Sequence, residues 1–304
     1  MTVESEWEFA LPAFTARFAF TAHSDRGPVR RLNEDSFLAS PPVFVVADGM
    51  GGHALGDRAS QAAVAMFGDL FTTAAPADPR DVLEAITAAN DAVLALSEES
   101  DLGGISGTTL TGVAFVDVGG TNNYHWMAFN VGDSRTYSWD GRTLSQLSVD
   151  HSAVQELVDQ GLLTPEDALR HPNRNVVTRA LGADEDVDPD VWILPTRPRQ
   201  TFLLCSDGLT CELPDDEIAR IIVFHDADDQ RSADSLPMSL AERLVNAAIA
   251  AGGSDNVTVV VVECELSSTN APSSSEIDSD ETRERDSLPG ALLDKRLEDT
   301  RPRG

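Results

Sequence analysis

Four aspartates in this chain stand where an apolar run meets a small or polar residue. Asp48 ends VFVVAD before Gly49, Asp133 ends AFNVGD before Ser134, and Asp207 ends TFLLCSD before Gly208. Asp255 precedes Asn256 and the run NVTVVVV. Each carboxylate is tethered to a stiff strand and has a neighbour that lets other groups come close. One Asp-Gly pair at a strand end is ordinarily a turn, because both residues suit turn backbones. Four such ends allow a second reading. Carboxylates gathered without cations repel and raise one another's pKa. A hard divalent ion with oxygen ligands removes the conflict. Two such ions roughly 3.5–4 Å apart can share one carboxylate and activate a water for in-line attack on phosphorus. No His or Cys cluster competes in the sequence, which favours Mg or Mn over Zn.

Upstream, RGPVRRLNEDSF at 26–37 sets Arg30 and Arg31 just before Asn33-Glu34-Asp35. A guanidinium fork matches phosphate oxygens, and an acid pair beside it can hold a metal or its waters. Read alone, the segment fits a solvated charged loop better.

The elements that must position these groups follow from patterning. β-Branched or aromatic runs bounded by Gly, Asp or Asn predict strands at 43–48, 109–118, 123–133, 134–139, 201–207 and 256–266, with a weaker candidate at 15–25. Ala-rich helical spacing covers 57–74 and 78–98, the second opened by Asp78-Pro79. Ser152 with Gln155, and Ser239 with Glu242, have capping-box spacing, and Thr164-Pro165-Glu166 opens a short helix. Two early helices followed by a run of strands do not alternate as βαβ units do. The expectation is an α+β layered fold with mostly antiparallel sheets.

The chain has 304 residues and a net charge of -29, with a pI of about 4.3 and a mean hydropathy of -0.17. Such a charge disfavours nucleic-acid partners and anionic membranes. An acidic enzyme acting on phosphorylated targets therefore needs bound cations and an arginine to attract the anion. No apolar run approaches the ~20 residues of a membrane helix, and the acidic N-terminus lacks signal-peptide character, so a cytoplasmic location is expected. Cys205, Cys211 and Cys264 are too few and dispersed for a disulfide framework, and Cys205 and Cys264 read as core thiols. Residues 1–13 read as a mobile or edge extension and 14–266 as one domain. The Ser-, Asp- and Glu-rich stretch 267–304 reads as a disordered tail.

The segments GPVRRLNEDS, VVADGMGGHALGD, SGTTL, FNVGDSRTYSW, VDHSAVQELV, HPNRNVVTRALG, LLCSDGL and GSDNVTVVVV follow one another over residues about 20–265. In this order they resemble the metal-dependent protein phosphatase family (protein phosphatase type 2C) in its compact bacterial form. The resemblance implies a four-layer αββα sandwich of two mostly antiparallel sheets flanked by helices, with a flap at about 141–181. It implies hydrolysis of phosphoserine and phosphothreonine in proteins by two Mn or Mg ions, with a third ion possible and a metal-bridging water as nucleophile. Asp48 would bridge both metals, the Gly49 carbonyl would bind one of them, and Asp207 and Asp255 would bind the other. Asp133 with Asp207 would hold the third. Arg30 would grip the phosphate, while Glu34 and Asp35 would order metal-bound water. Substrates would be phosphoproteins, among them a Ser/Thr kinase or its targets, and the chain would be a monomer.

One departure touches the acid step. Animal-type members carry a His directly after Asp-Gly, and here that position is Met50; His53 lies three residues on and does not inherit the role. His151 precedes a capped helix, where a local structural role is expected; His23, His125, His171 and His225 have no chemical setting. Two other functions use similar parts: a pseudophosphatase that binds phosphoproteins without turnover, and a two-metal nuclease, against which the charge argues.

Overall fold

The computed structural model describes residues 1–51, 55–73, 75–98, 106–229 and 238–268. In chain order, β1 (Thr2–Ala10), β2 (Phe14–Asp25), β3 (Asp35–Ser40) and β4 (Val43–Met50) precede α1 (Gly56–Leu70) and α2 (Pro79–Glu98). Then come β5 (Gly107–Thr108), β6 (Leu110–Asp117), β7 (Tyr124–Val131), β8 (Arg135–Trp139) and β9 (Leu144–Gln146). The short helices α3 (Ala153–Asp159) and α4 (Pro165–Ala168) follow, then β10 (Asp190–Pro195) and β11 (Arg199–Cys205). The chain closes with α5 (Asp207–Thr210), α6 (Asp215–Asp229), α7 (Leu240–Ala251) and β12 (Val257–Ser268).

The strands form two sheets, ordered β1-β2-β12-β11-β8-β9 and β10-β7-β6-β4-β3, with β5 beside the end of β4. Every ladder is antiparallel. Three apolar layers hold them. Phe18, Phe20, Phe44, Phe115, Trp126, Phe202 and Val260 interdigitate between the sheets. Val45 and Met127 on the second sheet pack under Ala63 and Phe67 of α1 and Ile86 of α2. Leu203, Val259 and Val261 on the first sheet pack under Ile218, Ile222 and Leu244 of α6 and α7. The result is the four-layer α+β sandwich that the resemblance implies. Central strands such as VFVVA and NVTVVVV are buried on both faces, which is why they read as unbroken apolar runs.

The predicted caps form. Ser152, Thr164 and Ser239 each accept the backbone N–H three residues on, from Gln155, Asp167 and Glu242. Several boundaries move. Residues 1–13, expected as an extension, supply β1, the outermost strand of the first sheet, which pairs with β2 along all nine of its residues. Its burial is confined to Phe9 and, in part, Val3, so it carries no strong alternation. The candidate at 15–25 becomes β2, buried between β1 and β12. The helix expected at 57–74 stops at Leu70, and Asp48 lies inside β4 rather than at its end. β3, β10 and α6 were not foreseen; all three are flanked by acidic residues. Of the tail expected at 267–304, Ser267 and Ser268 instead continue β12, paired with Thr15 and Phe14 of β2; the rest of it and His53 lie outside the described residues.

Candidate metal centre

The acidic groups meet at one end of the two sheets. β4 enters the core as Val43–Ala47, all fully buried, and delivers Asp48 and Gly49 beyond it. The SGTTL segment holds this tip: the Asp48 N–H donates to Thr109 Oγ1 (3.0 Å), and Thr108 Oγ1 and the Thr109 N–H donate to the Asp48 carbonyl (both 2.9 Å). Thr109 Oγ1 also reaches Ser134 Oγ at 2.7 Å, which ties the Asp48 tip to the turn bearing Asp133. Asp207 opens α5 directly after β11, and Asp255 lies just before β12, the neighbour of β11.

Arg30, Glu34, Asp48, Gly49, Asp133, Asp207 and Asp255 line one cleft of about 250 Å³. Asp35, paired in register with Asp48 across β3 and β4, sits behind it and is 8% exposed. Its Oδ2 accepts from Ser206 Oγ (2.8 Å) and Thr258 Oγ1 (2.7 Å). Arg30 Nη2 donates to Asp255 Oδ2 at 2.5 Å, so the expected phosphate grip and an expected metal ligand are paired with each other.

Asn256 has a role that sequence reasoning missed. Its Nδ2 donates to the carbonyls of Arg26 and Leu32 (both 2.9 Å), and its Oδ1 accepts the Glu34 N–H (2.8 Å). The 26–34 loop is thereby stapled to the start of β12. That carries Arg30 and Glu34 to the cleft, and a solvated loop would not be held so. The only sequence signal was Asn following Asp255. His151 proves structural: its Nδ1 accepts the Gly132 N–H (3.0 Å), and its backbone binds Gly132 and Thr178.

Close approach explains both Asp-Gly pairs. A Cβ on Gly49 would run into the backbone carbonyls of Gly56 and Glu34, and one on Gly208 into that of Asn256. Gly208→Ala is therefore expected to cost about 1–3 kcal/mol and to spread Asp207 from Asp255. Thermal denaturation should show a lower Tm, and Mn affinity by calorimetry should fall with it.

The electrostatics are those of uncompensated carboxylates. Burial raises the pKa of Asp48 well above the usual range, and the charges of Asp35, Asp207, Asp133 and Asp255 add to it. Burial, then Asp207 and Asp150, push Asp133 up to about 7. Burial pushes Asp35 up to about 7 against its two hydroxyl donors. Asp207 is raised by burial and by Asp255. Burial also raises Glu34, against Arg30. Arg30 is partly desolvated, yet Asp255 lifts its pKa.

Among the described residues no three His, Cys, Asp or Glu side chains already close on one point as a finished metal cage. The fit to cations rests on other observations. Asp207 Oδ1 and Asp35 Oδ1 are buried without a hydrogen-bond partner, five carboxyl groups have raised pKa values, and the donor set is all oxygen. Hard divalent cations answer each of these.

The model of the family described as "Protein phosphatase 2C" matches residues 23–244. The serine/threonine protein phosphatase PstP of Mycobacterium tuberculosis is 38% identical over 246 residues, 80% of this chain and 44% of that protein. The chain thus spans less than half the length of that relative. The serine/threonine phosphatase stp of Listeria welshimeri is 36% identical over 80% of this chain and 94% of its own. The solved catalytic domain of a serine/threonine protein phosphatase PstP, in complex with two manganese ions, superposes with a TM-score of 0.67 and 34% identity, covering 83% of this chain and 99% of that one. Four-layer sandwich, converging aspartates and these matches agree, and the chain belongs to the protein phosphatase 2C family.

Proposed function

We propose that this chain hydrolyses phosphoserine and phosphothreonine in proteins with Mn or Mg. The observation that carries this is the convergence of Asp48, Asp133, Asp207 and Asp255, from four separate segments, on one cleft. Asp48, the Gly49 carbonyl, Asp207 and Asp255 would hold two ions, and Asp133 with Asp207 a third. When bound, such ions supply a water acidic enough to attack phosphorus at neutral pH and positive charge against the phosphoryl oxygens.

The chain's own groups do the rest. Arg30 exchanges Asp255 for the substrate phosphate; its side chain is 48% exposed, so it can turn without breaking core packing. Glu34, on the cleft wall, orders water. Asp35 acts from behind, fixing Ser206 and Thr258 so that β11 and β12 present Asp207 and Asp255 side by side. Met50, and no histidine, follows Gly49 on the cleft wall, so the departing serine or threonine oxygen takes its proton from water. Segment 141–181 serves as a flap, for Asn175 and Val177 close the cleft on that side.

Arg30→Ala is expected to raise KM for a phosphothreonine peptide roughly 10–100-fold, the value of one charge-assisted bond, with a smaller effect on kcat. The activity itself is tested by phosphate release from that peptide with Mn, with EDTA, and with Asp207→Asn. Metal-dependent release lost in the variant supports the proposal. Peptide binding without release favours a pseudophosphatase, and cleavage of DNA under the same conditions favours a nuclease.

Partners follow from the chemistry: phosphoproteins, among them a Ser/Thr kinase or its targets, met by a monomer in the cytoplasm. Among the described residues no helix is long and apolar enough to cross a membrane.

A further inference from the structure

The layer between the two sheets changes character along its length. On β6 the residues facing it run from Phe115 and Val113 to Thr111, with Thr109 just before the strand. β12 runs likewise from Val262 and Val260 to Thr258. The end nearest the aspartates is thus built from buried hydroxyls. A buried hydroxyl is a cost to the fold unless it finds a partner. Here the partners lie across the layer, on the opposite sheet. Thr258 reaches Asp35 of β3, and Thr109 reaches Ser134.

The pair furthest from the cleft is the most informative. Thr111 Oγ1 of β6 and Thr136 Oγ1 of β8 meet at 2.8 Å. Thr111 is 0% and Thr136 1% exposed, and neither hydroxyl has another hydrogen-bond partner among the described residues. β6 and β8 belong to different sheets, so no backbone ladder joins them. Thr111 is paired in register with Val46, two residues before Asp48. Thr136 is paired with Leu204, three residues before Asp207. The bond therefore links the neighbour of the strand that delivers Asp48 to the neighbour of the strand that delivers Asp207.

Such a link has a use because the proposed metal ligands come from both sheets. Asp48 and Gly49 belong to the second, while Asp207 and Asp255 flank strands of the first. Apolar contact is non-directional and holds two layers together without fixing one offset between them. A hydrogen bond is directional and weakens steeply when either partner is displaced. Metal ligands need placement to within about 0.5 Å. We propose that Thr111 and Thr136 are positioning residues, fixing the offset of the two sheets and through it the spacing of Asp48 from Asp207. The proposal rests on the phosphatase reading and gives that same metal centre a support one layer beneath it.

The test uses the whole chain and the variants Thr111→Val, Thr136→Val and their double. Valine keeps the shape and removes the hydroxyl. Each single variant strands one buried hydroxyl, so its Tm in EDTA should fall by roughly 3–8 °C. The double removes both partners and should melt within about 3 °C of the wild type. Its Mn affinity by calorimetry should nevertheless be roughly tenfold weaker, as in Thr136→Val. With p-nitrophenyl phosphate at saturating Mn, kcat of the double should fall roughly tenfold while KM stays within about twofold. Thr136→Ser loses a methyl but keeps the hydroxyl, so its Tm should fall while Mn affinity stays within about twofold of the wild type. A double variant that binds Mn and turns over as the wild type does would overturn the proposal. So would a Thr136→Ser protein that loses as much Mn affinity as Thr136→Val, a comparison that stands even where the double fails to fold. Wild-type protein that binds Mn without releasing phosphate refutes the phosphatase reading, and calorimetry alone then decides the role of the pair. Wild-type protein that binds no Mn refutes both.

Discussion

Asp48→Asn is expected to lose phosphatase activity by on the order of 10³-fold while making the metal-free protein more stable. The two effects share one cause. Asp48 is half-buried among Asp35, Asp207, Asp133 and Asp255, and all of them act against its charge. Without cations, a buried carboxylate in such company is a cost to the fold. Asparagine keeps the shape and removes the charge. In EDTA its Tm should rise by roughly 3–6 °C, the equivalent of about 1–2 kcal/mol in a domain of this size. Saturating Mn should raise the wild-type Tm well beyond that and leave the variant nearly unmoved, because ligand binding stabilises only a fold that binds. A variant that melts below the wild type in EDTA, or retains Mn-dependent turnover within tenfold, would contradict this assignment. Function here is held at the expense of stability, as is common for clustered catalytic charges.

The metal-free protein should also lose stability as pH rises from about 4 to about 7, the reverse of ordinary acid denaturation. Asp35 and Asp133 are each pushed from 3.8 up to about 7, and Asp48 is raised well above its usual value. The folded chain therefore keeps protons that the unfolded chain has released across this window. The stabilisation is fully present below the unfolded values and is lost as pH rises through the folded ones. In EDTA, the Tm should fall by roughly 5–10 °C between pH 5 and pH 8. Excess Mn should cancel the fall, because bound cations keep the carboxylates ionised and release their protons. Calorimetric melts over that pH range, with and without Mn, check both halves. A flat profile in EDTA would mean that the carboxylates do not interact in the folded protein.

Much of the fold was legible because the central strands lie between two covered faces. Residues 43–47 and 257–262 needed no alternation to declare themselves, since both sides of each strand are apolar. The caps at Ser152, Thr164 and Ser239 were legible for a local reason, each bond spanning only three residues. Edge elements were not. In β10, Val191 and Ile193 face outward while Trp192 and Leu194 pack inward, so DVWILP lacks a polar face. In α6, Val223 and Phe224 are exposed beside buried Ile222, which blurs the helical period. β3 was hidden because its first residue, Asp35, is a buried acid in a segment that reads as charged loop.

The acidic constellation was legible from residue type and position, and the structure brings every member but Asp35 to one cleft. Its supports were not legible. The Asn256 staple to Arg26, Leu32 and Glu34 joins residues more than 200 positions apart. The half-buried Arg135, bound to Asp150 (2.6 Å) and Tyr137 (3.1 Å), likewise depends on a partner that only folding supplies. Nor could the sequence show that Arg30 rests on Asp255, which pairs the proposed phosphate grip with a proposed metal ligand.

The most direct test is anomalous diffraction at the manganese edge from crystals of this chain grown with Mn. Two anomalous peaks in the cleft, both within bonding distance of Asp48, one beside the Gly49 carbonyl and the other beside Asp207 and Asp255, are the expected result. Manganese found elsewhere, or a cleft without anomalous signal while Asp255 still holds Arg30, would contradict the account.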